Sequence, residues 1–181
     1  MAQAKKDTLK KGNASKKGDK TGHDEMMTKD NEKTMEEFIR YLYDGYKKFG
    51  HDKHVDHVYY YIIRYVTARI GECKNLKISE KAEKKLGKCE NLKTLRKARR
   101  EHPLETIQEH KIPVKTFFDE FKQKKENGKG FSENDAKRWL KEATLAIITK
   151  DEDDDITKKG WKKERPKDAY KQLGIVLKDV R

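Results

Sequence analysis

Residues 143–159, ATLAIITKDEDDDITKK, decide what kind of fold this chain takes. Leu145–Thr149 is a short apolar run that ends in three β-branched residues, Ile147, Ile148 and Thr149, and it reads as a strand. The residues after it turn acidic at once. Asp151, Glu152 and Asp153 suit the positive end of a helix dipole, so a helix is predicted from Asp151 to about Lys159. A strand running into a helix, in a chain whose other apolar residues recur at helical spacing, predicts a mainly α, α+β fold. The expected form is a helical bundle with a small β element of two to three strands.

The rest of the chain extends this pattern in both directions. Upstream, Ser132 caps a helix that runs through Ala136, Trp139, Leu140 and Ala143. Pro113 opens a helix carrying Phe117, Phe118 and Phe121 that stops near Gly128. Leu104 to His110, after Pro103, reads as extended. Ser79 caps a short helix with Ala82 and Leu86, closed by Gly87. A longer helix is predicted from about Asp52 to Ile70, with the stripe Val55, Val58, Tyr59, Ile62, Val66 and Ile70, and with Gly71 ending it. Tyr60, Tyr61 and Tyr65 lie around this helix; packing is the common use of such tyrosines, and stacking on bases is the alternative. The first helix is predicted to start at Thr34, paired with Glu37 as a capping box, and to carry Met35, Phe38, Leu42, Tyr46 and Phe49 up to Gly50. The first two helices are expected to pack antiparallel. Downstream, Trp161, a short helix after Pro166, Gly174 and a closing strand at Ile175 to Leu177 complete the chain. Residues 1–32 are almost without apolar side chains and read as a disordered basic tail, which leaves 33–181 as a single domain.

Charge narrows the partner. Charged residues make up 43% of the chain against 33% hydrophobic, and the formal net charge is +13. The first 33 residues hold nine Lys and six acidic residues, so +10 remains on the body. An excess of this sign on the folded part favours phosphate backbones through counterion release. Nucleic acid is the expected partner, DNA favoured over RNA. Cys73 and Cys89 form no CxxC pair, which points to a reduced, cytoplasmic setting rather than a zinc site. No apolar run reaches membrane-spanning length, and no Walker loop, GxGxxG or GxSxG motif occurs.

The most basic stretch carries Lys93, Arg96, Lys97, Arg99 and Arg100, with no acidic residue between Lys93 and Arg100. With Lys111 and Lys115 it forms the candidate nucleic-acid contact set. His51, His54 and His57 stand at three-residue spacing, which brings side chains together on a helix; surface histidines are the plainer reading.

Residues 109–113, EHKIP, resemble the first motif of the His-Asn-His (HNH) nucleases. Residues 148–153, ITKDED, are similar to that family's strand–helix join. The resemblance implies a nuclease-like C-terminal half, 103–181, behind a helical half, 33–102. It implies His110 as the general base on water, with Glu109 and Asp153 holding magnesium or manganese. Asp153 stands where the family often has its last histidine. The chain departs from the family elsewhere. The middle asparagine has no counterpart, Thr144 being nearest; a long helical insertion separates the motifs; and the zinc-ribbon cysteines are absent.

Together these readings predict a basic nucleic-acid-binding protein, either a metal-dependent HNH-like endonuclease or a degenerate relative of one. The alternative is a non-enzymatic protein-interaction or inhibitor module that uses its basic charge.

Overall fold

The structure is a computed structural model that describes residues 28–50, 52–89 and 91–180. The tail expected over 1–32 therefore lies outside the described residues as far as residue 27. Two helices open the described chain, α1 (Lys29–Phe49) and α2 (Lys53–Lys74). Next come β1 (Leu76–Ser79), α3 (Glu80–Leu86), α4 (Leu92–Glu101) and β2 (Thr106–His110). The order continues with α5 (Val114–Glu126), α6 (Glu133–Glu142), β3 (Leu145–Thr149), α7 (Lys150–Lys158), α8 (Ala169–Gln172) and β4 (Leu177–Asp179). The α+β class holds, with four strands rather than two or three.

The helical layer is made by α1, α2, α5 and α6 around an aromatic core. Tyr43, Phe117, Phe121, Phe131 and Trp139 are buried there, and the Phe121 and Trp139 rings stack with centroids 4.8 Å apart. The Tyr43 hydroxyl donates to the Lys129 carbonyl at 2.5 Å, so its polar end is satisfied inside that core. Truncating a ring in such a core typically costs about 3–5 kcal/mol.

The sheet has the order β2-β3-β1-β4. β3 runs parallel to β1 and antiparallel to β2, and β4 runs antiparallel to β1. Every residue of β3 is buried, as its unbroken apolar run predicts for a strand covered on both faces. Leu145 and Ile147 join Leu76, Ile78, Ala82, Leu86 and Leu95 on one face, beneath α2, α3 and α4. Ala146 and Ile148 meet Ile156, Tyr170 and Ile175 on the other face, beneath α7 and α8. β1 comes from the first half of the sequence and its neighbours β3 and β4 from the second, so both halves share one sheet.

The structure moves several expected boundaries. α1 begins five residues before Thr34. Thr28 caps it by accepting from the Asn31 N–H, and the Thr34 hydroxyl instead donates back to the Asp30 carbonyl at 3.0 Å inside the helix. Acidic Asp30 and Glu32 in the first turn support this earlier start. Gly71 does not end α2, which continues to Lys74. A Cβ at Gly71 would lie 2.8 Å from both Leu145 Cγ and Leu145 N, so the glycine lets the helix approach β3. The closing strand starts two residues later than expected. β1 adds a strand beyond the sequence expectation: its four residues, LKIS, with a lysine among them, carry little periodic signal.

Candidate functional site

β2 is an edge strand, and its side chains alternate between the two faces of the sheet. Register with β3 assigns them. Gln108 pairs with Ile147 and His110 with Leu145, on the α2–α4 side; Glu109 pairs with Ala146, on the α7–α8 side. Glu109 and His110, adjacent in sequence, thus belong to different environments.

On the α7–α8 side, Glu109 meets a buried arginine. Arg165, whose side chain is 1% exposed, donates from Nη2 to Glu109 Oε1 at 2.5 Å. Its Nη1 donates to the His110 carbonyl and the Tyr170 hydroxyl, each at 2.9 Å, and its Nε to the Trp161 carbonyl at 3.0 Å. Asp153 pairs with Lys162, whose ammonium is also 3.8 Å from Glu109 Oε2. The structure therefore brings together the two carboxylates that the sequence singled out. Both already face side-chain cations, so the pair is charge-balanced by Lys162 and Arg165 and does not fit a divalent ion as arranged. Sequence reading missed both cations, because Lys162 and Arg165 stand in an irregular segment with no motif around them.

On the α2–α4 side, His110 Nε2 is 3.2 Å from Thr67 Oγ1 on α2. Burial, with the nearby Arg64 charge, pushes the imidazole down from its ordinary 6.5 to about 4, offset in part by a hydrogen bond with the Arg64 backbone. His110 is thus a neutral, packed side chain, separated by the sheet from Glu109 and Asp153. No single ion is within reach of all three. Among the described residues no group of three His, Cys, Asp or Glu side chains is arranged to hold a metal.

The basic residues form a coherent surface. α4 is nucleated by a capping box between Asn91 and Thr94, and Leu95 is its buried anchor. Arg96 pairs with Glu72 of α2, with Nη2 at 2.9 Å from Oε1, and Arg69 holds the same carboxylate at 3.1 Å. Arg99 Nη1 donates to Gln108 of β2 at 3.0 Å, while its Nε–H is buried without an acceptor among the described residues. Burial lowers the Arg99 pKa, opposed by Glu72. Arg96 and Arg99 thus fasten α4 to the helix and strand beneath it. Lys93, Lys97 and Arg100 point outward and are exposed. Lys93, Arg96, Arg99, Arg100 and Pro103 line one cleft of about 670 Å³.

The remaining predicted contacts lie elsewhere. Lys115 is held by Asp119 at 2.5 Å and faces Glu164 at 3.7 Å, so none of its described contacts is with α4. The Lys111 backbone is tied to the residue that precedes β3, its N–H donating to the Thr144 carbonyl at 2.9 Å. His54 and His57 are exposed on α2, and His51 lies outside the described residues. Among the described residues no helix is long and apolar enough to cross a membrane. No family model matches the chain, and neither a curated protein nor a solved structure matches it.

Proposed function

We propose that this protein binds nucleic acid through the surface formed by α4 and the adjoining half of α2. One observation carries the reading: α4 turns Lys93, Lys97 and Arg100 to solvent from a base anchored by Arg96 and Arg99. Random surface charge needs no anchoring. Cations set on a fixed framework keep their spacing, and spaced cations are what a phosphate backbone rewards. DNA is the favoured partner, and two cysteines without a disulfide are in keeping with a cytoplasmic setting.

A second reading rests on the convergence of Glu109 and Asp153. It makes the chain a degenerate relative of the HNH nucleases, in which Lys162 sits between two carboxylates of the kind that hold a divalent ion in active members. In that reading the protein retains binding and has lost cleavage, because the histidine is on the opposite face.

Binding to duplex and single-stranded oligonucleotides, measured by fluorescence anisotropy across a salt series, tests the proposal. Affinity should fall steeply with salt, and Lys93→Gln with Arg100→Gln should reduce the slope by about 1–2, since each phosphate contact contributes about 0.7–0.9. Absent binding at low salt, or affinity indifferent to salt, overturns it. Plasmid and RNA incubated with magnesium or manganese in parallel should stay intact; cleavage abolished by His110→Ala would restore the nuclease reading.

A further inference from the structure

The two most outward tyrosines of α2 extend the basic surface. Tyr65 is 74% exposed and Tyr61 53% exposed. At about 100° per residue, Tyr61, Tyr65 and Glu72 fall within about 40° of one another around the helix, over about 16 Å of its length. Glu72 is the residue that Arg69 and Arg96 grip. The line of Tyr61 and Tyr65, continued along α2, leads to the carboxylate that Arg96 of α4 holds, with exposed Arg64 beside it. His57 meets the Tyr61 ring edge-on at 4.8 Å and Tyr60 meets it at 5.9 Å, which steadies that ring from the side. Tyr60 itself turns inward against Phe118.

We infer that this stripe stacks on unpaired bases, so that the nucleic acid bound is single-stranded, DNA or RNA. The inference rests on the nucleic-acid reading above and deepens it. A duplex hides its base faces; exposed rings in line with a cationic surface match a strand that offers unstacked faces and phosphates together. Charge context separates this stripe from the other exposed tyrosine. Tyr41 on α1, also 74% exposed, shares its hollow with Glu37, Asp44 and Arg40, a setting that repels phosphate as much as it attracts it. Around Tyr61 and Tyr65 the acidic side chain in line with them, Glu72, is already matched by two arginines.

The test is competition at fixed salt between a labelled oligothymidine or oligouridine and a duplex of equal length. Single strands should bind at least about tenfold more tightly, and the two arms tell DNA from RNA. Tyr65→Leu should weaken single-strand binding by about 5- to 100-fold, the range expected for losing one base–aromatic stack, with the salt slope unchanged. Tyr65→Phe should restore affinity, since the ring and not the hydroxyl does the stacking. Tyr65→Trp should give a fluorescence that quenches on single strands and not on duplex. Both positions are exposed, and unchanged melting temperatures of the variants would show that folding is intact.

Equal affinity for duplex and single strands, with Tyr65→Leu without effect, overturns the inference and leaves the nucleic-acid reading standing. Self-association that Tyr65→Leu abolishes, with oligonucleotide affinity unchanged, overturns it in favour of a second copy of the chain on this face. No binding of any polymer at low salt brings down both.

Discussion

Glu109 and His110 are neighbours in the chain and face opposite sides of the sheet, Glu109 against buried Arg165 and His110 against Thr67 of α2. One side chain therefore serves an ion-pair network and the other a helix–sheet contact. That division gives each a separate experimental signature.

His110 should make stability depend on pH in a defined window. Its folded pKa of about 4 lies below the ordinary 6.5, so between these values the unfolded chain binds more protons than the folded one. Stability from this group is complete above 6.5 and declines as pH falls toward 4. The contribution is at most about 3.5 kcal/mol, from about 1.4 kcal/mol for each pKa unit. Urea unfolding across the window should show a shallower pH slope for His110→Gln than for the wild type; identical slopes would refute the assignment.

Glu109→Gln should destabilise strongly. Arg165 is buried, and losing its carboxylate leaves an uncompensated charge, a loss of about 3–5 kcal/mol for pairs of this kind. Oligonucleotide affinity, measured well below the melting transition, should not fall. A variant as stable as the wild type, or one with lost binding and full stability, would contradict the structural role.

Gly71→Ala sets two effects against each other. Alanine in a helix interior is worth up to about 1 kcal/mol over glycine. Here the new methyl would stand 2.8 Å from the Leu145 backbone nitrogen, which cannot swing aside as a side-chain end can. The steric term should win by about 1–3 kcal/mol, read as a lower urea midpoint. A raised midpoint would mean that α2 and β3 are not this close.

Glu152→Ala probes the junction of two helix starts. Glu152 is buried and accepts from the Ser79 hydroxyl at 2.6 Å and the Thr149 N–H at 2.8 Å, joining the caps of α3 and α7. The Thr149 hydroxyl donates to it as well, at 3.1 Å, so its removal strands three buried donors, at about 1–3 kcal/mol each. Thermal unfolding should register the loss, and Asp151→Ala on the exposed side of the same turn should not.

Local chemistry was enough to find most of the elements. Ser132 and Ser79 announce helix starts because a hydroxyl before an apolar-periodic run satisfies free N–H groups. Leu145–Thr149 announces a strand because its apolar side chains need cover on both faces. The basic character of α4 is plain in its composition, since charge is additive and needs no geometry.

What the tertiary structure decided was which side of each element meets which neighbour. Alternation along a strand guarantees that Glu109 and His110 diverge, but only pairing with Ala146 and Leu145 says which face each joins. Partners such as Arg165 for Glu109, 56 residues away, and Glu72 for Arg96, 24 away, carry no local signal. Tyr60 and Tyr61 are equal in the sequence; packing against Phe118 takes one inside and leaves the other, with Tyr65, at the surface. Burial is a property of the assembled layers, and no window of sequence contains both layers at once.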